Sequence, residues 1–255
     1  MMLFYQKLGQ GPPILILPGL LGSTDNWRGI AKQLALHYTL YLVDHRNHGQ
    51  SFHSPVMTYE AMAADVCRLI TELGLASPVL IGHSMGGKVA MQLAQTRPGF
   101  LSKLIVIDIA PRVYDMRQLA ELLQVLRQTP LQGVQTRTVV DRYLREDIPD
   151  PLVRTHCMKN LRRDKAGQLV WGSNIPVLAD SIPHLEQAVA YEGPFEQPTL
   201  FVQGTQSDYI QPPDLALMQA MFPHYILAAM PGAGHWVHYD QPQAVLRVIN
   251  RFLEH

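Results

Sequence analysis

Cysteine is scarce in this chain: 255 residues hold two, Cys67 and Cys157, far apart and neither in a C-x-x-C pair. That excludes a disulfide-stapled scaffold, and two isolated thiols read as reduced residues of a cytoplasmic protein. Charge is scarce too, at 16% of residues, and its signs cancel, with 21 Lys plus Arg against 21 Asp plus Glu. With no long block of either sign, nothing suggests nucleic acid or an anionic membrane as a partner. Long apolar runs are also missing. "ILILPGLLG" is far too short to span a bilayer and contains Pro18 and Gly19, and "MMLFYQKLGQG" lacks the basic-then-apolar order of a secretory leader. There is no G-x-x-x-x-G-K-[ST] and no His/Asp/Glu group with metal-ligand spacing. We therefore expect no metal, no cofactor, no membrane insertion and a small-molecule substrate.

What the chain does have is six short, continuously apolar runs, at 13–18, 39–44, 78–83, 103–108, 198–204 and 224–230. Unbroken apolarity, not alternation, marks strands covered on both faces. Helical patterns lie between them, at 27–36, 58–75, 86–98, 213–223 and 242–255, with Thr58 placed to cap the second and Pro98 and Pro223 stopping two others. This alternation predicts an α/β fold, a mostly parallel sheet with helices on both faces. Residues 112–192 break the rhythm with helical patterns and no convincing strand, and read as a helical cap inserted after the strand that ends at Asp108. The core is then 1–111 plus 193–255, one domain.

"LIGHSMGGKVAM" (80–91) puts Ser84 on a strand-to-helix turn with Gly82 and Gly86 on either side. A nucleophile elbow requires that context, since the turn strains the backbone at its apex and neighbouring segments pass close by. A serine hydroxyl needs a base. His37, His45, His48, His53, His156, His184, His224 and His255 sit in segments that read as surface or loop, and the His83 side chain is expected to leave the strand on the side away from the site. His235, in the glycine-rich "MPGAGHWVHYDQP" after the last strand, is the expected base, with His238 its competitor. The base needs an acid to fix its tautomer. Asp208, after the strand before the last, is assigned that role, with Asp108 as the alternative.

A tetrahedral oxyanion needs two preorganised donors. The expected pair is the amide of Met85 and that of Leu20, in "LPGLLGSTDNW", whose glycines allow close approach. Leu21 and Trp236 flank the site. In the cap, Met116, Leu119, Leu122, Leu123 and Leu126 recur at helical spacing, a stripe that is either core or an apolar acyl channel. Of these, Met116, Leu119 and Leu123 are taken as substrate-binding candidates. Arg162, Arg163 and Lys165 read as a solvated face.

"LPGLLGSTDNW", "DHRNHGQS", "GHSMGGKVA", "GTQSDYI" and "GAGHWVH" occur in an order that resembles the α/β-hydrolase superfamily over essentially the whole chain. "RNHG" at 46–49, "DIAP" at 108–111 and "AGHWVH" at 233–238 resemble more narrowly the YbfF-type bacterial esterases. The resemblance implies carboxylester hydrolysis through an acyl-enzyme, with acyl thioesters such as acyl-CoA as further candidate substrates. Pro18 departs from it, standing where many relatives have histidine. The resemblance also leaves the acid open, because the wider superfamily usually draws it from the position of Asp208 and YbfF-type members can draw it from that of Asp108. Carbon–carbon bond hydrolases and perhydrolases of the same fold share Ser-Asp-His, and a slow or dead site would make a small-molecule receptor. Turnover separates these readings.

Overall fold

Each of the six apolar runs forms a strand, and all six run parallel. The computed structural model describes residues 1–254. It begins with β1 (Tyr5–Leu8) and β2 (Pro13–Leu17), followed by α1 (Arg28–Leu34), β3 (Thr39–Val43), α2 (Tyr59–Glu72), β4 (Val79–His83), α3 (Met85–Thr96) and β5 (Lys103–Ile107). Next come α4 (Arg117–Gln128), α5 (Arg137–Leu144), α6 (Pro151–Lys159), β6 (Leu161–Arg163), β7 (Leu169–Trp171), α7 (Ile175–Asp180) and α8 (Ile182–Leu185). The chain closes with β8 (Thr199–Gly204), α9 (Asp214–Met221), β9 (Tyr225–Met230), α10 (Val237–Asp240) and α11 (Pro242–Glu254). The last helix was expected to reach His255, which lies outside the described residues.

The sheet order is β1-β3-β2-β4-β5-β8-β9, with β1 antiparallel at one edge. Sequence reading missed β1, because its half-exposed "YQKL" carries no continuous apolar run. In the central strands successive side chains enter opposite cores. Leu15 and Leu17 of β2 join Leu80, Val106 and Phe201 on the face covered by α2 and α3, while Ile14 and Ile16 join Ile81, Ile105 and Val202 on the face covered by α1 and α11. Period-two alternation with both sets apolar is what burial on both faces demands. Thr58 caps α2 as expected, its hydroxyl accepting from the Ala61 amide at 3.2 Å.

β2 pairs with β3 on one side and β4 on the other, so the chain direction across the sheet reverses there. The carboxyl ends of strands at such a reversal open a crevice. The loops after β2 and β4 meet in it.

The segment between β5 and β8 carries α4–α8 above this edge. It also holds the antiparallel pair β6–β7, which corrects the expectation of a purely helical insertion. Three-residue strands are too short to show a pattern. Leu123, Leu126, Val140, Leu144 and Leu178 of the insertion join the same apolar cluster as α2 and α3, so the cap shares its core with the sheet face beneath it. Lys88, fully buried on α3, ties the insertion down at both ends. Its Nζ donates to the carbonyls of Arg112 and Gln187 and lies 4.7 and 5.2 Å from the ring centres of Tyr59 and Tyr114. Burial pulls the Lys88 pKa down to about 7.

Candidate active site

Ser84 occupies the turn between β4 and α3 with φ 52° and ψ −121°, a conformation costly for any residue but glycine. The neighbouring glycines explain how the turn fits. A Cβ on Gly82 would lie 2.3 Å from the carbonyl oxygen of Gly86, and one on Gly86 would lie 2.4 Å from that of Leu17. Both obstacles are backbone, so neither could yield cheaply.

The Ser84 Oγ lies 3.0 Å from Nε2 of His235. On the other side of that ring, Nδ1 lies 2.8 Å from Oδ2 of Asp108. Because the carboxylate must accept, Nδ1 carries the proton and Nε2 is free to accept from the serine. Asp108 is fully buried at the carboxyl end of β5, with φ 52°. Its Oδ1 accepts from the Gly204 amide at 2.8 Å, and its Oδ2 also accepts from the Ser207 hydroxyl. The Tyr209 ring stacks on His235 at 3.8 Å and 18°. A proton can therefore pass from Ser84 to His235 beside an ionisable group already held in register.

Asp208, the first choice for the acid, is not in this chain of contacts. It is exposed, its Oδ1 accepts from Gln211 at 3.2 Å, and its carbonyl accepts from Arg112. It lies four residues beyond the end of β8, where the loop has turned outward; Ser207, one residue earlier, points inward to Asp108.

The loop after β2 passes directly over the serine. A Cβ on Gly19 would stand 3.3 Å from Cβ of Ser84. Leu21 has φ 60°, and its amide donates to Nε2 of His48 at 3.2 Å. The Leu21 carbonyl accepts from Asn160 at 2.8 Å, and that of Leu20 accepts from His156 at 3.4 Å. Among the described residues, the amides of Leu20 and Met85 meet no protein acceptor. These are the two donors expected from sequence.

The serine opens into a cavity of about 680 Å³. Its apolar wall includes Leu20, Leu21, Leu119, Leu122, Val125 and Val153, and Trp236 lines it beside the histidine. Glu121, Asp147 and Asp150 also line it, and no Lys or Arg does among the described residues. Two candidates fall elsewhere. Leu123 is fully buried in the core, and Met116, half-buried just before α4, packs against that core. On α4, residues 118, 119, 122 and 125 turn to the cavity while 123 and 126 turn to the protein interior. The stripe is two adjacent faces, not one.

Histidines read as surface or loop prove buried. His45 and His48 are fully covered, and burial depresses their pKa values to about 3 and about 4. His83 is buried too, and its ring turns toward the site. It sits 4.9 Å from the His235 ring and 4.8 Å from that of His238, which stacks on Trp27 at 4.2 Å. The "RNHG" segment was the available signal for His48. Nothing local signalled His83, Ser207 or Tyr209. No three His, Cys, Asp or Glu side chains converge as metal ligands among the described residues. Nor is any described helix long and apolar enough to cross a membrane.

Residues 12–242 match the sequence model of the alpha/beta hydrolase fold. The chain belongs to that family. It is 35% identical to Esterase YbfF of Escherichia coli (strain K12) over 250 residues, covering 97% of this chain and 95% of that one. It is 34% identical to the sn-1-specific diacylglycerol lipase ABHD11 of Mus musculus over 251 residues, covering 95% and 81%. The solved structure of a marine microorganism esterase superposes with a TM-score of 0.96 at 37% identity, covering 98% of this chain and 99% of that one. Within the α/β hydrolases the chain is thus of the esterase and lipase type, a carboxylic ester hydrolase.

Proposed function

We propose that this protein is a serine carboxylesterase working through an acyl-enzyme, with Ser84 as nucleophile, His235 as general base and Asp108 as the acid that orients it. The observation that carries this is the unbroken contact chain from Ser84 Oγ through both nitrogens of His235 to the buried carboxylate of Asp108. His235 Nε2 takes the hydroxyl proton as Oγ bonds to the ester carbonyl carbon. The carbonyl oxygen becomes an oxyanion held by the amides of Leu20 and Met85, the contribution that typically supplies a few kcal/mol per donor. Collapse expels the alcohol, which leaves with the proton from Nε2. Water then enters, gives its proton to Nε2 and attacks the acyl carbon, and Ser84 leaves with that proton as the acid is released.

The apolar wall on α4 fits an acyl chain, and the names of the relatives, an esterase and a diacylglycerol lipase, support uncharged acyl esters as substrates. Acyl thioesters share the same chemistry at the carbonyl. The two free thiols, Cys67 and Cys157, fit a cytoplasmic setting.

The test is hydrolysis of p-nitrophenyl esters from acetyl to palmitoyl by the wild type and by Ser84→Ala. We expect turnover by the wild type and a fall of about 10⁴-fold or more in the variant. Undiminished turnover by Ser84→Ala overturns the assignment, and absence of turnover by both overturns the esterase.

A further inference from the structure

His83 is the residue before the nucleophile, and the steps above give it no task. It is nonetheless a polar side chain enclosed at the centre of the site. Its Nε2 lies 2.9 Å from the carbonyl oxygen of His235. A carbonyl only accepts, so Nε2 carries the proton and donates. Among the described residues this is the one hydrogen bond made to the main chain of His235. On its N-terminal side the loop that bears His235 is tied by its neighbours: the Gly232 amide donates to Thr205 at 2.9 Å, the Gly234 amide donates to Asp240 at 2.8 Å, and the Ala233 carbonyl accepts from the Gln206 amide at 2.9 Å. None of these bonds holds residue 235 itself. Gly232 has φ 75°, Gly234 follows, and α10 begins only at Val237. The opposite edge of the His83 ring faces Gly19, where an added Cβ would stand 3.1 Å from Nδ1. One imidazole thus touches the loop of the base and the loop that carries the Leu20 amide, and is covalently joined to Ser84.

We propose that His83 is a positioning residue: by donating to the His235 carbonyl it fixes the base loop relative to the nucleophile, and so sets the distance between Ser84 Oγ and His235 Nε2. The inference rests on the reading of His235 as the base. The path from the Ser84 main chain to the His235 main chain through His83 is one peptide unit, one buried imidazole side chain and one hydrogen bond. Burial keeps the ring uncharged, holding its pKa well below the ordinary histidine value. That suits the role, because a charged His83 would repel the imidazolium that forms on His235. The other groups facing His235 are Asp108, Tyr209, His156 and His238; of these Asp108 and Tyr209 grip the ring and none bonds its main chain.

The experiment compares His83→Phe, which keeps a ring and loses the donor, with His83→Gln, whose amide reaches the position of Nε2, and His83→Asn, one methylene shorter. Steady-state hydrolysis of p-nitrophenyl butyrate is measured for each beside His235→Ala, with melting temperatures recorded. A displacement of 1 Å at a reacting group costs about a hundredfold. We expect kcat of the Phe and Asn variants to fall about ten- to a hundredfold with KM within about threefold of wild type, and Gln to recover kcat to within about fivefold of wild type. A general loss of packing would lower all three in step with their melting temperatures and would not favour Gln. If Phe keeps kcat within twofold, or if Gln is as slow as Asn, the inference is overturned. If His235→Ala turns over at the wild-type rate, it is the assignment of the base that fails, a result separable from either of those.

Discussion

Asp108, not Asp208, holds the ring of His235: Oδ2 of Asp108 lies 2.8 Å from Nδ1, while Asp208 turns outward to Gln211. The carboxylate reaches inward because residue 108 takes a left-handed backbone turn straight after β5, and it is pinned there by the Gly204 amide and the Ser207 hydroxyl. Replacing Asp108 with Asn leaves the shape intact but offers His235 an amide donor in place of an acceptor, favouring the wrong tautomer. We expect kcat for p-nitrophenyl butyrate to fall by about 10²- to 10⁴-fold in Asp108→Asn and to stay within about twofold of wild type in Asp208→Asn. The reverse order would return the role to Asp208.

Gly86 seats the elbow against the loop after β2. A Cβ there would meet the carbonyl oxygens of Leu17 and Pro18 at 2.4 and 2.5 Å, so Gly86→Ala must push that loop, and the Leu20 amide with it, away from the serine. Loss of one oxyanion donor typically costs about 10²- to 10³-fold in kcat. We expect a drop of that order together with a lower melting temperature, whereas Gly29→Ala, inside α1 with open space at its Cβ, should leave kcat unchanged and hold or slightly raise the melting temperature. A Gly86→Ala enzyme of wild-type kcat would show that the loop amide is not used.

The two faces of α4 make separable predictions. Leu122→Trp narrows the cavity and should move the optimum of the p-nitrophenyl ester series to shorter acyl chains. Leu123→Ala empties a fully buried core position, and should cost about 2–5 kcal/mol in chemical unfolding while leaving the optimum in place. Unchanged preference in Leu122→Trp would place the acyl chain elsewhere in the cavity.

Glu121, Asp147 and Asp150 give the cavity an acidic lining. The phosphates of a CoA thioester would meet these carboxylates, whereas N-acetylcysteamine offers the same thioester without charge. At low ionic strength kcat/KM for butyryl-CoA should be about tenfold or more below that for butyryl-N-acetylcysteamine. The gap should close toward 1 M salt, where the screening length is about 3 Å. A CoA thioester cleaved as fast as its uncharged counterpart at low salt would contradict this.

Buried neutral histidines should make the fold sensitive to acid. Burial depresses the pKa of His45 to about 3, His48 to about 4 and His238 to about 3, against an ordinary value of 6.5. Below that ordinary value the unfolded chain takes up protons that the folded chain refuses, so their contribution is complete above about pH 6.5 and lost as the pH falls toward 3–4. These three sites alone give a slope of up to roughly 4 kcal/mol per pH unit near pH 5, and the buried, uncharged His83 adds to it in the same direction. Urea unfolding from pH 7 to pH 4.5 should show this decline. His238→Phe, which keeps a ring on Trp27, should flatten it by about a quarter, one of four such sites. An unaltered slope would show that His238 does not contribute.

The sequence by itself determined the six parallel strands, the elbow and the loop that carries His235. A strand covered on both faces must be apolar at every position, as "ILIL" in β2 is. A turn whose neighbours pass within contact of a backbone carbonyl must use glycine, as at Gly82 and Gly86. These demands act on residues adjacent in the chain, so local chemistry carries them. Tertiary structure decided the rest. Asp108 and Asp208 follow neighbouring strands, and their merits differ only once the backbone turn at 108 and the outward course of the loop at 208 exist in space. In the sequence Leu122 and Leu123 read as one apolar stripe, and only the sheet beneath and the opening above assign one to the cavity and the other to the core. His83 and His48 carry no mark of burial, since a polar side chain can be enclosed only when distant segments supply its partners: the carbonyl of His235 for one, the amide of Leu21 for the other. Periodicity specifies that a side chain is buried, and the packing of remote elements specifies against what.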